Sequence, residues 1–216
     1  MSRAVHPIEV ESYRILRSRV DTTGLPPLTR AVVERIVHTT ADPTWVGDVV
    51  TTEPALAAGR AALLAGAPVV TDVSMVAAGI TSRDCLVALT LPGQDELVAC
   101  GLTRSAAGIR LAARRHPDGA VWAIGNAPTA LAELVRLARA GEVRPALVVG
   151  VPVGFVGAVA AKAELRASGL PAVSTLTERG GAAIAATTVN ALLYYAADDT
   201  ADDTADDTDV DAEERP

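Results

Sequence analysis

Proton transfer near neutrality falls most readily to histidine, whose ordinary pKa of about 6.5 lets the ring both give and take a proton. The chain has three histidines. His6 precedes Pro7 near the amino terminus, and His116 precedes Pro117 at the end of a helical pattern, where a cation suits the helix dipole. Both fit structural roles. His38 differs, because it lies in Val37-His38-Thr39-Thr40-Ala41-Asp42 with a carboxylate four residues on. If the helix persists, Asp42 reaches the ring and fixes its tautomer; Pro43 works against that. Spacing alone leaves two readings open, a packed imidazole and a proton carrier.

A second kind of chemistry is anion binding at strand-to-helix turns. Apolar runs end in Thr71-Asp72-Val73-Ser74, in Gly125-Asn126-Ala127-Pro128-Thr129 and in Gly150-Val151-Pro152-Val153-Gly154-Phe155. In a doubly wound sheet, ligands bind beyond the carboxyl ends of the strands, where such turns lie. Pro128 suits a first helical turn and would leave the amides around Asn126 free for an anion. Thr103-Arg104-Ser105 offers another helix start, with Thr103 as cap, Arg104 as cation and Ser105 beside them. The alternative is that these glycines and prolines only shape connectors.

Other chemistries lack their motifs. No Gly-x-Gly-x-x-Gly, Gly-Lys-Ser/Thr or Gly-x-Ser-x-Gly occurs, which disfavours nicotinamide, ATP and serine-hydrolase sites. Cys85 and Cys100 have neither metal nor redox spacing, so neither a metal nor a cofactor is expected, and they read as free core thiols of a reducing compartment.

The elements that must position these residues follow from periodicity. Helices are expected over 8–20, 30–40, 54–65, 74–80, 105–115, 129–140, 156–168 and 181–195, with 22–28 a connector. Strands are expected over 68–71, 86–89, 120–124, 146–149 and 172–176. This alternation predicts an α/β fold, a mainly parallel sheet with helices on both faces, preceded by N-terminal helices. Half the residues are apolar but only 3% are aromatic, so Ala, Val, Leu and Ile must build the core.

The chain divides into one expected domain, 1–196, and an acidic segment, 197–216, that repeats Ala-Asp-Asp-Thr and is expected to be disordered. That segment holds ten of the 26 acidic groups, so the net charge of -7 conceals a mildly basic remainder with 18 basic and 16 acidic side chains. Such a surface accepts an anionic small molecule and is too weakly basic for nucleic acid. Lys162 is the sole lysine among the 19 basic residues. The longest apolar stretch, 146–161, is broken by Gly150, Pro152, Gly154 and Gly157, and no apolar signal core opens the chain, so a soluble cytoplasmic protein without a membrane partner is expected.

Four ordered runs carry a resemblance: Val69-Val70-Thr71-Asp72 with Met75-Val76-Ala77-Ala78-Gly79-Ile80, Thr103-Arg104-Ser105-Ala106-Ala107, Ala123-Ile124-Gly125-Asn126-Ala127-Pro128-Thr129-Ala130-Leu131, and the run 144–158. Together they resemble the precorrin-8X and cobalt-precorrin-8 methylmutase family from His6 to Leu193. The resemblance implies an isomerase of cobalamin biosynthesis that moves a methyl group from C-11 to C-12 of a tetrapyrrole, giving hydrogenobyrinate or its cobalt counterpart, without redox or nucleotide cofactor. It also implies a homodimer with sites near the interface. His38 falls on the family's proton donor or acceptor. Ser12 and Arg17 fall on residues expected near the substrate, and Arg104 on an arginine that would hold a ring carboxylate or support His38. Thr103, Ser105 and Asn126 would bind the remaining carboxylates.

Two departures stand out. Where the family usually reads Glu-Ser-Lys after Gly157-Ala158, this chain has Val159-Ala160-Ala161-Lys162, and Ala182 replaces a serine after Arg179-Gly180-Gly181. They motivate an alternative reading as a tetrapyrrole-binding carrier without turnover. A third possibility is an unrelated α/β hydrolase of anionic metabolites.

Overall fold

The computed structural model describes residues 6–93 and 101–195. The acidic segment 197–216 and Cys100 lie outside the described residues, so the expectations placed on them do too. In chain order come α1 (Pro7–Arg19), α2 (Pro27–Thr40), a 3₁₀ turn (Pro43–Gly47), β1 (Val49–Val50), α3 (Glu53–Leu64), β2 (Val69–Thr71), α4 (Ser74–Gly79) and β3 (Cys85–Val87). After a second 3₁₀ turn (Ala88–Thr90) follow α5 (Arg104–Arg115), β4 (Val121–Ile124), α6 (Pro128–Arg139), β5 (Leu147–Gly150), α7 (Ala158–Arg166), β6 (Ala172–Thr175) and α8 (Ala182–Tyr194).

The sheet order is β1-β6-β5-β4-β2-β3, with every pairing parallel except that of β1 with β6. Because strand side chains alternate between faces, Val121 and Ala123 face a core built with α1, α2, α3, α4 and α8. Their neighbours Trp122 and Ile124 face the core of α5, α6 and α7. Both faces are therefore buried, as the unbroken apolar strands require.

The chain runs from β2 outward to β3, then returns to the other side of β2 to form β4. That reversal sets the carboxyl ends of β2 and β4 at the usual ligand position in such sheets. Asp72 and the Gly125-Asn126-Ala127 turn stand there.

Three differences from the sequence-based expectation have simple causes. Pro27, placed in a connector, opens α2, because a proline without an N–H fits a first helical turn. β1 has only two residues, too few to show a period, and is recruited by pairing with Ser174 and Thr175. β3 ends at Val87, and Ala88 to Thr90 turn instead as a 3₁₀ segment.

Candidate active site

α2 buries Val32, Val33, Ile36 and Val37 and leaves His38 half-buried in its last turn. The helix ends because Ala41 takes a left-handed conformation, φ 53°. Asp42 is thereby carried off the helical path and the expected contact with His38 does not form. Its carboxylate caps the 3₁₀ turn through Thr44 N (2.9 Å) and Thr44 Oγ1 (2.7 Å), and it pairs with Arg179 at 2.6 Å.

The ring is held from α1 instead. Ser12 Oγ lies 2.8 Å from His38 Nδ1, and the Tyr13 ring stacks on the imidazole, centroids 5.1 Å apart and planes 3° from parallel. One side chain therefore fixes an edge and its neighbour fixes a face. Nε2 makes no hydrogen bond among the described residues. The Tyr13 hydroxyl accepts from Arg35 Nη1 at 3.4 Å, and Arg35 pairs with Glu9. Burial raises the Tyr13 phenol above its ordinary pKa against the pull of Arg35, so the stacked ring stays neutral.

Arg17 joins this group, but through a structural tie. Its Nη2 lies 3.1 Å from Glu34 Oε2, and Glu34 also accepts from Arg30 (2.8 Å) and Thr22. Burial pushes the Glu34 carboxyl up, yet the hydrogen bonds from Thr22, Arg17 and Arg30 outweigh it and hold it below the usual range. This cluster pins α1 to α2 and so maintains the distance between Ser12 and His38. Arg17 Cζ also lies 5.8 Å from the centroid of Tyr13.

The other expected ligands gather at the carboxyl end of the sheet. Thr103 Oγ1 caps α5 by accepting from Ala106 N (3.2 Å) and lies 2.9 Å from Thr129 Oγ1, which brings the Thr103-Arg104-Ser105 start beside the Asn126 turn. Arg104 is exposed and has no hydrogen bond or ion pair among the described residues. The amides expected to be free are not. The buried Asp72 carboxylate accepts from Gly125 N (3.2 Å), Asn126 N (2.8 Å) and Ala127 N (2.8 Å). Burial raises the Asp72 pKa even against these three donors. Asn126 retains an exposed side chain for a ligand.

No direct contact joins the two groups; α8 connects them. A Cβ on Gly125 would meet Gly181 O at 2.7 Å, so the start of α8 abuts the Asn126 turn. Thr187, six residues on, lies 3.0 Å from Thr39, next to His38. The separation is thus about 9 Å of helix axis at 1.5 Å per residue. The loop before α8 is firmly set: Asp48 accepts from Leu176 N, Thr177 N and Thr177 Oγ1. Buried Lys162 donates to Thr175 Oγ1, Thr177 O and Arg179 O, and burial lowers its pKa although Asp48 opposes. Arg179 lies over Trp45, 4.0 Å from its ring centroid.

The departures at Val159 and Ala160 fall in α7, on the face of the sheet opposite α2, and leave the His38 group intact. A cavity of about 500 Å³, lined by Arg110, Arg114, Arg136 and Glu142, lies on that same far face. Glu133 and Glu142 neutralise two of its arginines. Sequence reasoning missed Tyr13, Glu34 and Arg35, and named Asp72 in a strand-end turn without giving it a role. The Arg30 to Glu34 spacing of four was a legible signal for one of them.

The fold is thus a doubly wound α/β sheet in which α8 meets, at Thr187, the group around an imidazole fixed on one edge and, at its start, a hydroxyl-bearing strand end with the exposed Arg104 nearby. The profile of the precorrin-8X methylmutase family matches residues 7–195. A precorrin-8X methylmutase of Pseudomonas aeruginosa is 40% identical over 197 residues, 84% of this chain and 91% of that protein. A cobalt-precorrin-8 methylmutase of Methanocaldococcus jannaschii is 37% identical over 171 residues, 79% and 81% of the two chains. The crystal structure of a precorrin-8X methylmutase from Thermus thermophilus superposes with a TM-score of 0.78 at 35% identity, covering 86% of this chain and 93% of that one. The chain belongs to the precorrin-8X methylmutase family, isomerases of cobalamin biosynthesis.

Proposed function

We propose that this protein moves the C-11 methyl of precorrin-8X, or of its cobalt counterpart, to C-12, with His38 Nε2 as the proton carrier. The observation that carries this reading is the ring held by Ser12 and Tyr13 with Nε2 making no hydrogen bond among the described residues. When Ser12 accepts from Nδ1–H, the imidazolium carries its exchangeable proton on Nε2 and the neutral ring presents a lone pair there. Protonating the macrocycle polarises its conjugated system and eases methyl migration. Returning the proton to Nε2 afterwards leaves an isomer, with no net proton gained or lost. A positioned acid and base of this kind contributes ~10²- to 10⁴-fold in rate. Holding the ring in one shape supplies much of the rest.

Arg104, Thr103, Ser105 and the Asn126 side chain are the proposed contacts for the acetate and propionate groups, since an exposed guanidinium suits carboxylates. Arg17 acts on the substrate side through the Tyr13 and Glu34 cluster. The proposed working form is a cytoplasmic homodimer in which the second copy closes the open end of the sheet. No helix of the described residues is long and apolar enough to cross a membrane.

Incubating the protein in parallel with precorrin-8X and cobalt-precorrin-8 tests this. The visible spectrum should change as conjugation alters, and NMR should place the migrated methyl on C-12. Tight binding without product would favour the carrier.

A further inference from the structure

Phe155 is the protein's one phenylalanine, and it is 96% exposed. Its neighbour Val156 is 88% exposed, and Val153 is also open to solvent. Leaving large apolar side chains in water forgoes the burial that drives folding, and contiguous exposed apolar surface marks a contact site. Here the loop's shape maintains that exposure. Gly154 (φ 145°) and Gly157 (φ 77°) bracket the segment in conformations that other residues rarely adopt. Its base is fixed by Gly154 N donating to Glu178 O (3.1 Å) and by Gly181 N donating to Val151 O (2.9 Å). A Cβ on Gly180 would meet Val151 O at 2.1 Å, so the two loops touch backbone to backbone.

The segment also borders the polar group described above. A Cβ on Gly157 would lie 3.7 Å from Pro128 Cβ, which sets the loop against the Asn126 turn. From there the Thr129 to Thr103 contact leads to the exposed Arg104. The carboxyl end of the sheet therefore presents an apolar prong near an exposed cation, without an ion pair among the described residues, and an exposed amide. A flat conjugated ring with carboxylates on its rim has the same pairing of properties.

We propose that the 153–156 loop is a substrate-contacting element in which Phe155 lies on the face of the macrocycle while Arg104 and Asn126 take its carboxylates. This rests on the methylmutase reading and makes Phe155 a specificity-determining residue for it. The charge match favours the acidic ring over a second protein surface, because the exposed Arg104 guanidinium and Asn126 amide suit carboxylates and aromatic faces stack on one another.

The test uses the full chain and hydrogenobyrinate, a ligand that no longer reacts. Titration by visible absorption should show Phe155→Ala binding ~10- to 100-fold more weakly, with Phe155→Leu between the two. KM for precorrin-8X should rise in parallel while kcat stays within about threefold. Because the side chain is almost fully exposed, its removal leaves the core intact. Equal affinity of Phe155→Ala and the natural protein overturns the loop's role alone. A dissociated variant in the analytical ultracentrifuge, whose affinity returns at high protein concentration, overturns it in favour of a second copy. A natural protein that neither binds nor converts the tetrapyrrole overturns the functional reading itself.

Discussion

Ser12 Oγ stands 2.8 Å from Nδ1 of His38, although the two are 26 positions apart on separate helices. The contact exists because Glu34 draws Arg17 of α1 and Arg30 of α2 to one buried carboxylate. The helix that supplies the imidazole is thus locked to the helix that orients it. The ring nitrogen without a hydrogen bond among the described residues is Nε2, the atom to which the proposed proton exchange is given.

Replacing His38 by alanine should leave product affinity within about threefold, because the carboxylate contacts proposed for Arg104 and Asn126 lie elsewhere. kcat should fall ~10²- to 10⁴-fold, the range of general acid and base catalysis. Single-turnover absorption kinetics at saturating precorrin-8X measure this directly, and near-normal turnover would remove His38 from the mechanism.

Ser12→Ala should act more mildly. Losing one hydrogen bond of ~0.5–1.5 kcal/mol frees the ring to rotate and populate the other tautomer. The corresponding drop in kcat is about 2- to 10-fold. Ser12→Thr keeps the hydroxyl and should recover most of the rate; equal loss in both variants would mean the hydroxyl is not used.

Tyr13 separates stacking from hydrogen bonding. Tyr13→Phe keeps the ring parallel to the imidazole and loses only the long 3.4 Å contact with Arg35. Its kcat should remain within about twofold, since a weak contact at that distance contributes little. Tyr13→Ala removes the stack, worth ~0.5–1.5 kcal/mol beyond burial, and should lower kcat by up to about 10-fold with product affinity kept. An unchanged kcat in Tyr13→Ala would show that Ser12 alone orients His38.

Much of this architecture was legible from the chain because its signals are local. Apolar runs buried on both faces and Ala-rich helices between them are readable one element at a time. What escaped depends on distant partners. β1 is a strand only because β6 passes beside it. The amides of Gly125, Asn126 and Ala127 looked free until Asp72, over fifty residues earlier, was found to occupy them. Asp42 had the right spacing for His38, but a single left-handed residue, Ala41, redirected it to Arg179. The family resemblance put Ser12 near the substrate; its place on the Nδ1 edge of His38 became visible only with α1 packed on α2.

The Glu34 cluster makes a prediction about acid stability. Its folded pKa is held below the ordinary value by Thr22, Arg17 and Arg30 despite burial. The native state therefore binds that proton less readily than the unfolded chain. Stability from this group is fully present above the unfolded pKa of about 4.3 and is lost as pH falls through the lower folded value. Glu34→Gln should be destabilised by on the order of 2–3 kcal/mol at pH 7, since it leaves two arginines that retain some access to water. Urea unfolding of both proteins from pH 7 to 3 should show the difference narrowing below about pH 4.3, as the natural carboxyl becomes protonated. A constant gap across that range would mean that the carboxylate's charge is not what ties α1 to α2. In that event kcat in Glu34→Gln should also stay normal, because the Ser12 to His38 distance would not depend on the ion pair.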